Sequence, residues 1–360
     1  VGLHELELRN FRLFREFRFF PDLEAVTVLL SANGTGKTSV LEAVYALATA
    51  SSFRTSTASD MIRSGESLSE VHGVIHHHER RVQVDLTLAR GVRNTTKRML
   101  VNGQRPKTRA DLSEALPITI FTPDGVDIIR QGPENRRVFL TNLLTDADLS
   151  TGDVIERFNR ILSQRNAILR ALQSEHLTIN QRDELDVWSA DLSLVAEQLV
   201  KIRRRILDEL VPLVRHYYQE LAQDGLLVDV KYEQSWEGDL TSALGRSFND
   251  DRYRGHTTIG PHRDDIAVTL EGRDARRQAS QGEQRSLALA LRLAGHDLVK
   301  RKRGVDPLLL LDDVFSELDP LRSDRLLVLL PVGQTLVTTA SPLPSAMSPA
   351  AVVDLTKVLP

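Results

Sequence analysis

At the amino end, the apolar residues are spaced for short extended segments: Leu3, Leu6 and Leu8, then Phe11, Phe14, Phe17 and Phe19. That spacing predicts a hairpin of strands. Residues 25–30, with Val26 and Val28, have the pattern of a buried strand. They run directly into 31–38, after which 39–48 take helical spacing. Residues 71–75, 82–88 and 99–102 predict a further sheet, with Asn102-Gly103 as a turn. The period changes after Pro123. Residues 153–173 carry Val154, Phe158, Ile161, Leu162, Ile168, Leu169 and Leu172, and 188–210 carry Leu192, Val195, Leu199, Ile202 and Ile206. Two antiparallel helices separated by the polar stretch 175–181 are expected. Strand patterns return at 226–232 and 266–270, a helix at 286–298, a fully apolar strand at 307–311 and a last strand at 335–339. The tail from 341 is rich in Pro, Ser and Ala and is expected to be irregular. No internal repeat is visible. The reading is an α/β unit split by a helical insertion: 1–123, the insertion 124–225, and 226–360.

With 360 residues, 41% hydrophobic and 26% charged, the composition excludes wholesale disorder and calls for two lobes. The absence of cysteine excludes a disulfide scaffold, a thiol nucleophile and thiolate metal sites. No apolar run approaches the roughly 20 residues of a membrane span, and residues 1–9 lack a signal-peptide shape. A cytoplasmic protein without membrane contact is expected. The net charge of −3 gives no bulk attraction to nucleic acid, so any such contact must be local. Eight of the 46 basic residues are lysine and the rest arginine, which suits bidentate phosphate contacts but also fits plain codon bias.

The sharpest chemical signal is Asn33-Gly34-Thr35-Gly36-Lys37-Thr38. Two glycines let backbone N–H groups turn inward around phosphate oxygens, Lys37 supplies charge to the β and γ phosphates, and Thr38 offers a hydroxyl to Mg²⁺. The following helix points its N-terminus at the same place. The alternative is a glycine-rich turn before a structural helix. The full pattern begins with Gly where this chain has Ser31; a left-handed backbone there would be strained. A second signal is the apolar run 308–311 ending in Asp312-Asp313. One carboxylate at the end of a buried strand can hold Mg²⁺ and the next can orient a water, although acidic turns after strands are common. The third is Ser280-Gln281-Gly282-Glu283-Gln284 before a helix, readable as an anion-binding N-terminus or as a capping box of Ser280 with Glu283.

Together these segments resemble the ATP-binding-cassette superfamily, in the DNA-associated branch that holds the SMC proteins, and within it the RecF family. Leu6-Glu7-Leu8-Arg9-Asn10-Phe11-Arg12 is similar to that branch's first strand. Phe121-Thr122-Pro123-Asp124, Arg136-Arg137, Gly260-Pro261-His262-Arg263-Asp264-Asp265 and 309–319 are similar to RecF-specific stretches. The resemblance implies an ATPase head: a P-loop core (lobe I) and a helical lobe II, with no long coiled coil. It makes Ser31, Asn33, Gly34, Thr35, Gly36, Lys37, Thr38 and Ser39 the ATP-binding loop, and places Arg12 near the base or α-phosphate. It assigns Mg²⁺ to Thr38 and Asp312, and catalysis to Asp313 and Lys37. Ser280, Gln281, Gly282, Glu283 and Gln284 look like the signature motif, which completes the site from a second subunit. Ser316, Glu317, Leu318 and Asp319 look like the D-loop. ATP would close a homodimer, with RecR and RecO as partners and RecA downstream, at single-strand gaps and stalled forks. Asp313, where transporter cassettes carry Glu, implies slow hydrolysis. Thr338-Thr339-Ala340-Ser341 stands where those cassettes carry a His.

The expected DNA is duplex, gapped or junction, because no aromatic stacking platform is visible. The candidate contacts are Arg136, Arg137, Arg203, Arg204, Lys300 and Arg301, each also readable as a solvated or paired surface charge. Glu42 is read as helix surface and Asp60 as a turn residue. His76-His77-His78 cannot converge on one metal from a single strand, whose side chains alternate. The alternatives are an SMC-like structural clamp and a transporter-type motor cassette.

Overall fold

The buried-strand runs at 25–30 and 307–311 become members of one parallel sheet, separated by a single strand, in the environment that asks for apolar residues on both faces. A computed structural model of the protein describes residues 1–32, 34–77, 80–91, 94–173, 179–340 and 347–355. Strands β1 (Gly2–Phe11) and β2 (Phe14–Phe19) form the expected hairpin. Strand β3 (Val26–Leu30) leads through a loop into helix α1 (Lys37–Thr49). Strands β4 (Leu68–His77), β5 (Arg80–Arg90) and β6 (Thr95–Val101) complete an antiparallel sheet of order β2-β1-β4-β5-β6. Asn102 and Gly103 have φ of +49° and +76°, as the predicted turn requires.

Helix α2 (Arg109–Ala115) precedes β7 (Ile118–Phe121), and α3 (Asp127–Arg130), α4 (Pro133–Ala147), α5 (Thr151–Ala171) and α6 (Ile179–Ala222) follow. Next come β8 (Val228–Glu233), α7 (Leu240–Arg254), β9 (Asp265–Leu270), β10 (Arg273–Asp274), α8 (Ala275–Gln278) and α9 (Gln281–Arg303). The chain closes with β11 (Leu308–Asp312), α10 (Pro320–Leu329), β12 (Thr335–Thr339) and β13 (Ala351–Asp354). The parallel sheet has the order β13-β3-β12-β11-β7. Its residues alternate between two cores: Val28, Leu309, Leu311 and Val337 face the helices, whereas Leu29, Leu308, Leu310 and Leu336 face α1 and the antiparallel sheet.

Several expectations change. The tail contributes β13, paired with β3 from Ala351↔Thr27 to Asp354↔Leu30. Helix α6 runs past the expected end at 210 and through Pro212, a residue that costs a helix interior its hydrogen bond, because Leu213, Val214, Tyr218 and Leu221 beyond it are buried. The strands at 228–270, expected with the C-terminal part, form a separate sheet of order β10-β9-β8, and their apolar residues join the core of α4, α6 and α9. The hydrophobic pattern predicts none of the helices α2, α3, α4, α7, α8 and α10.

The helical side is tied by one buried ion pair. Arg165 and Asp251 have 1% and 0% side-chain exposure and lie 2.8 Å apart. Arg165 also donates to Ser189 and Thr257, and Asp251 accepts from both the N–H and hydroxyl of Thr258. The pair thereby holds α5, α6 and α7 together. Replacing one partner of such a pair leaves a buried charge unmatched. Arg165→Met is therefore expected to lower stability by about 3–5 kcal/mol, measured by chemical denaturation.

Candidate nucleotide site

The loop after β3 is shaped by its glycines. Gly34 and Gly36 have φ of +83° and +93°, values that L side chains rarely adopt. A Cβ on Gly36 would also lie 2.8 Å from the Phe14 ring, so the β1–β2 turn packs directly on the loop. Ser31 is not among the residues with positive φ, so the departure from Gly carries no backbone strain there. Its hydroxyl is buried without a partner. Lys37 opens α1 and donates to the carbonyls of Ser31 and Ala32 at 2.5 and 2.8 Å. Burial pushes its pKa down, against the pull of Asp313 and Asp312. Thr35 donates to Ala32 O at 2.8 Å, and Ser39 is buried. Asn33 lies outside the described residues.

The carboxylates arrive from β11. Oδ1 of Asp312 accepts from Thr38 at 2.9 Å and from Thr338 at 2.7 Å. Burial raises the Asp312 pKa, and these two hydrogen bonds hold it back. Asp313 has φ of +48°; its N–H donates to both the carbonyl and the hydroxyl of Thr338 at 3.1 Å, and its Oδ1 is buried without a partner. Thr38 and Asp312 thus form an oxygen pair of the kind a divalent cation takes. Thr338 was named in sequence only as one of several hydroxyls; here it joins both acids. Ser341 lies outside the described residues.

Arg12 has φ of +52° in the β1–β2 turn. It donates to Glu42 at 2.7 and 2.5 Å and to Asp60 O at 2.6 Å. Glu42 is not on the helix surface but fully buried, and it also accepts from Ser52 and Arg54. No spacing in the sequence signals this, because its partners come from two separate segments, the β1–β2 turn and residues 52–54.

At the start of α9, the capping box forms: Ser280 N–H donates to Glu283 at 2.5 Å, and Glu283 N–H donates to Ser280 at 3.3 Å. Ser280 and Gln281 are exposed, but Gln284 is buried, donating to the carbonyls of Ala275 and Arg276 and accepting from Arg130. Gly282 lies beside Arg322, whose guanidinium would be 3.2 Å from a Cβ there. Arg285 pairs with Glu317 at 2.5 Å, and Arg322 bonds Asp319 and Ser286. Ser316 closes on Asp313 O at 2.7 Å, and Leu318 is half-buried. The turn of α9 just after the expected signature segment is therefore tied to the expected D-loop, directly through Arg285 and by way of Arg322. The hydrogen bonds of 280–284 among the described residues go to neither the Lys37 loop nor Asp312.

The proposed DNA contacts fare worse. Arg136 is buried and forked onto Asp265 at 2.8 Å, and Arg203 is buried and donates to Pro261 O at 2.6 Å. Neither presents a free solvated charge. Arg137 donates to Asp264 O, Arg204 to Gln234, Lys300 pairs with Asp306 and Arg301 with Asp297. His78 lies outside the described residues. Among those described, no group of three or more His, Cys, Asp or Glu is placed to hold a metal, and no helix is long and apolar enough to cross a membrane.

The family model described as RecF/RecN/SMC N terminal domain matches residues 2–342. The chain is 37% identical over 314 residues to the DNA replication and repair protein RecF of Geobacter sulfurreducens, covering 84% of this chain and 82% of that one. It is 33% identical over 352 residues to the protein of the same name from Acidothermus cellulolyticus, covering 94% and 93%. Among solved structures, that of the recombination mediator protein RecF-ATPrS in the RecFOR pathway superposes with a TM-score of 0.85 at 26% identity, covering 98% of this chain and 97% of that one.

Because Thr338 hydrogen-bonds the charged form of Asp312, Thr338→Val is expected to raise the Asp312 pKa further. Protonated Asp312 is a poor cation ligand, so Mg²⁺-dependent nucleotide affinity should begin to fall at a higher pH than in the wild type as the solution is acidified. A fluorescent ATP analogue titrated across pH measures the displacement; coincident acid limbs would contradict the role given to Thr338.

Proposed function

The chain belongs to the RecF family of the RecF/RecN/SMC proteins, and on that premise we propose that it is an ATP-gated DNA-binding protein of recombinational repair. The observation that carries this reading is the incompleteness of one subunit's nucleotide site. Lys37, Thr38, Asp312, Asp313 and Thr338 gather at one edge of the parallel sheet, whereas the exposed cap of α9 bonds only within its own surroundings. A second subunit would supply Ser280 and Gly282 of the partner subunit to the γ-phosphate, making an isologous, ligand-closed dimer.

Within that dimer, Lys37 gives up its carbonyl partners for the β and γ phosphates. The α1 N-terminus, which has no side-chain cap, directs its N–H groups at them. Mg²⁺ held by Thr38 and Asp312 would neutralise phosphate charge. Asp313 accepts a proton from the attacking water through the oxygen that has no protein partner. Its side chain is one methylene shorter than Glu, which fits slow turnover and a timer rather than a motor. By its kinship the protein acts in the cytoplasm at single-strand gaps and stalled forks, with RecO and RecR, in helping RecA load. ATP binding assembles the DNA-bound state and hydrolysis releases it.

Fluorescence anisotropy of a labelled gapped duplex tests the gating, with wild type and Lys37→Met, each with and without Mg-ATP. ATP should strengthen binding only in the wild type; equal binding in all four conditions would separate DNA affinity from the nucleotide site. For the dimer, Ser280→Arg is expected to keep nucleotide binding by the monomer and to lose the ATP-dependent dimer in sedimentation velocity. A dimer of unchanged affinity would refute the trans role of Ser280.

A further inference from the structure

Neither Arg136-Arg137 nor the stretch 260–265 is used by the nucleotide site, yet the structure folds them against each other. The stretch turns at Gly260, with φ of +122° and a 2.7 Å bond from Arg263 N–H to Gly260 O. The His262 ring lies 3.4 Å from where a Gly260 Cβ would sit, and its Nε2 is 3.0 Å from Thr257 O. Burial pushes the His262 pKa down to about 4, so the ring is a neutral buttress that donates from Nε2 and adds no charge.

Both carboxylates of the stretch are already committed. Asp264 accepts from Tyr232, from Ser235 N at 2.8 Å and from Ser235 Oγ at 2.9 Å. Asp265 takes the fork of Arg136 and accepts from Ile266 N at 2.7 Å. Three further guanidiniums converge beside them. Arg203 is 5% exposed and spends Nη1 on Pro261 O and Tyr232, while its Nε is buried with no partner. Arg137 spends one nitrogen on Asp264 O. Arg263 is exposed, and among the described residues its guanidinium has no ion pair. Arg137 and Arg203 bond the carbonyls of Asp264 and Pro261, on either side of Arg263 in the turn; burial first, with Arg263 and Arg203 adding to it, lowers the Arg137 pKa against the pull of Asp265 and Glu134.

We propose that Arg203, Arg137 and Arg263 form a receptor for a phosphate group, and that the phosphate it takes is a phosphodiester of the DNA backbone. Nη1 of Arg203 is occupied and its Nε is shut off from solvent, so the exposed guanidinium of Arg263 is the fork that can hold two oxygens of one phosphate, with Arg137 beside it and the Arg203 charge behind. The buried Arg203 nitrogen left without a partner is costly, and negative charge brought close to its guanidinium offsets that cost without touching it. Gathering like charges around committed carboxylates creates a demand for an anion that the chain itself leaves unmet. This assignment rests on the DNA-binding reading above and gives it a contact that the isolated charge clusters did not.

The test uses the full chain, with Arg263→Ala, Arg263→Lys and the double variant Arg137→Ala/Arg263→Ala. Duplex affinity is measured across salt concentrations, and inorganic phosphate is titrated by ³¹P NMR. ATP-analogue binding checks that each variant is folded. Each lost phosphate contact should flatten the slope of log K against log salt by about 0.9. The double variant should therefore lose roughly two units of slope and about tenfold or more in affinity. Arg263→Lys should keep most of the slope while losing affinity, because it retains charge but not the fork. Wild-type slope and affinity in the double variant, with no phosphate perturbation in the wild-type protein, overturn the proposal. If the wild type binds no DNA with or without ATP, the functional reading fails instead. The phosphate arm then decides this inference alone: a perturbation abolished by Arg263→Ala keeps the receptor and assigns it to free phosphate, and none overturns it.

Discussion

One carboxylate oxygen sets the geometry of the nucleotide site. Oδ1 of Asp312 receives hydroxyl hydrogens from Thr38, at the start of α1, and from Thr338, at the end of β12. Three segments from the two ends of the sequence meet there. They can do so because the parallel sheet delivers the carboxyl ends of β3, β12 and β11 side by side to one edge, the place where open α/β sheets bind ligands. Burial alone would leave Asp312 protonated more readily; the two hydroxyls hold it toward the charged form that a cation requires. Loop, sheet and acid are therefore a single electrostatic unit.

A second unit lies at the start of α9. The Arg285–Glu317 pair and the bonds of Arg322 to Asp319 and Ser286 join the residues just after the expected signature segment to the expected D-loop within the subunit. Ser316 connects that unit back to Asp313 O. A displacement of the D-loop by a partner would thus be felt both at the α9 cap and at the second acid. Physical continuity of this kind is what coupling between a dimer interface and a hydrolytic site requires.

The nucleotide loop was legible because its chemistry is local. Glycines at fixed offsets, a lysine, a hydroxyl, and a strand before and a helix after are all written within a few residues. The acidic end of β11 and the Ser280–Glu283 box were legible for the same reason. Properties set by distant partners were not. Arg136 looks like a surface charge until Asp265 arrives from β9, and Glu42 looks like helix surface until Arg12 and Arg54 close over it. The helix end expected at 210 falls short of Pro212 because sequence does not show how much packing energy the last turns of α6 recover. Strand β13 is four residues in a Pro- and Ser-rich tail, and only the open edge of β3 makes it a strand.

That edge has a consequence for how the protein is made. Strand β3 leaves the ribosome early, but both of its sheet partners, β12 and β13, lie at the far end of the chain. At roughly 5–20 residues per second, the strand that carries the phosphate loop waits tens of seconds with both edges unsatisfied. In that interval α1 and the antiparallel sheet can cover one face of it, but neither edge is paired. Its unpaired edges are an exposed template for mispairing, so during biosynthesis the nucleotide site is completed only when β12 and β13 have been made.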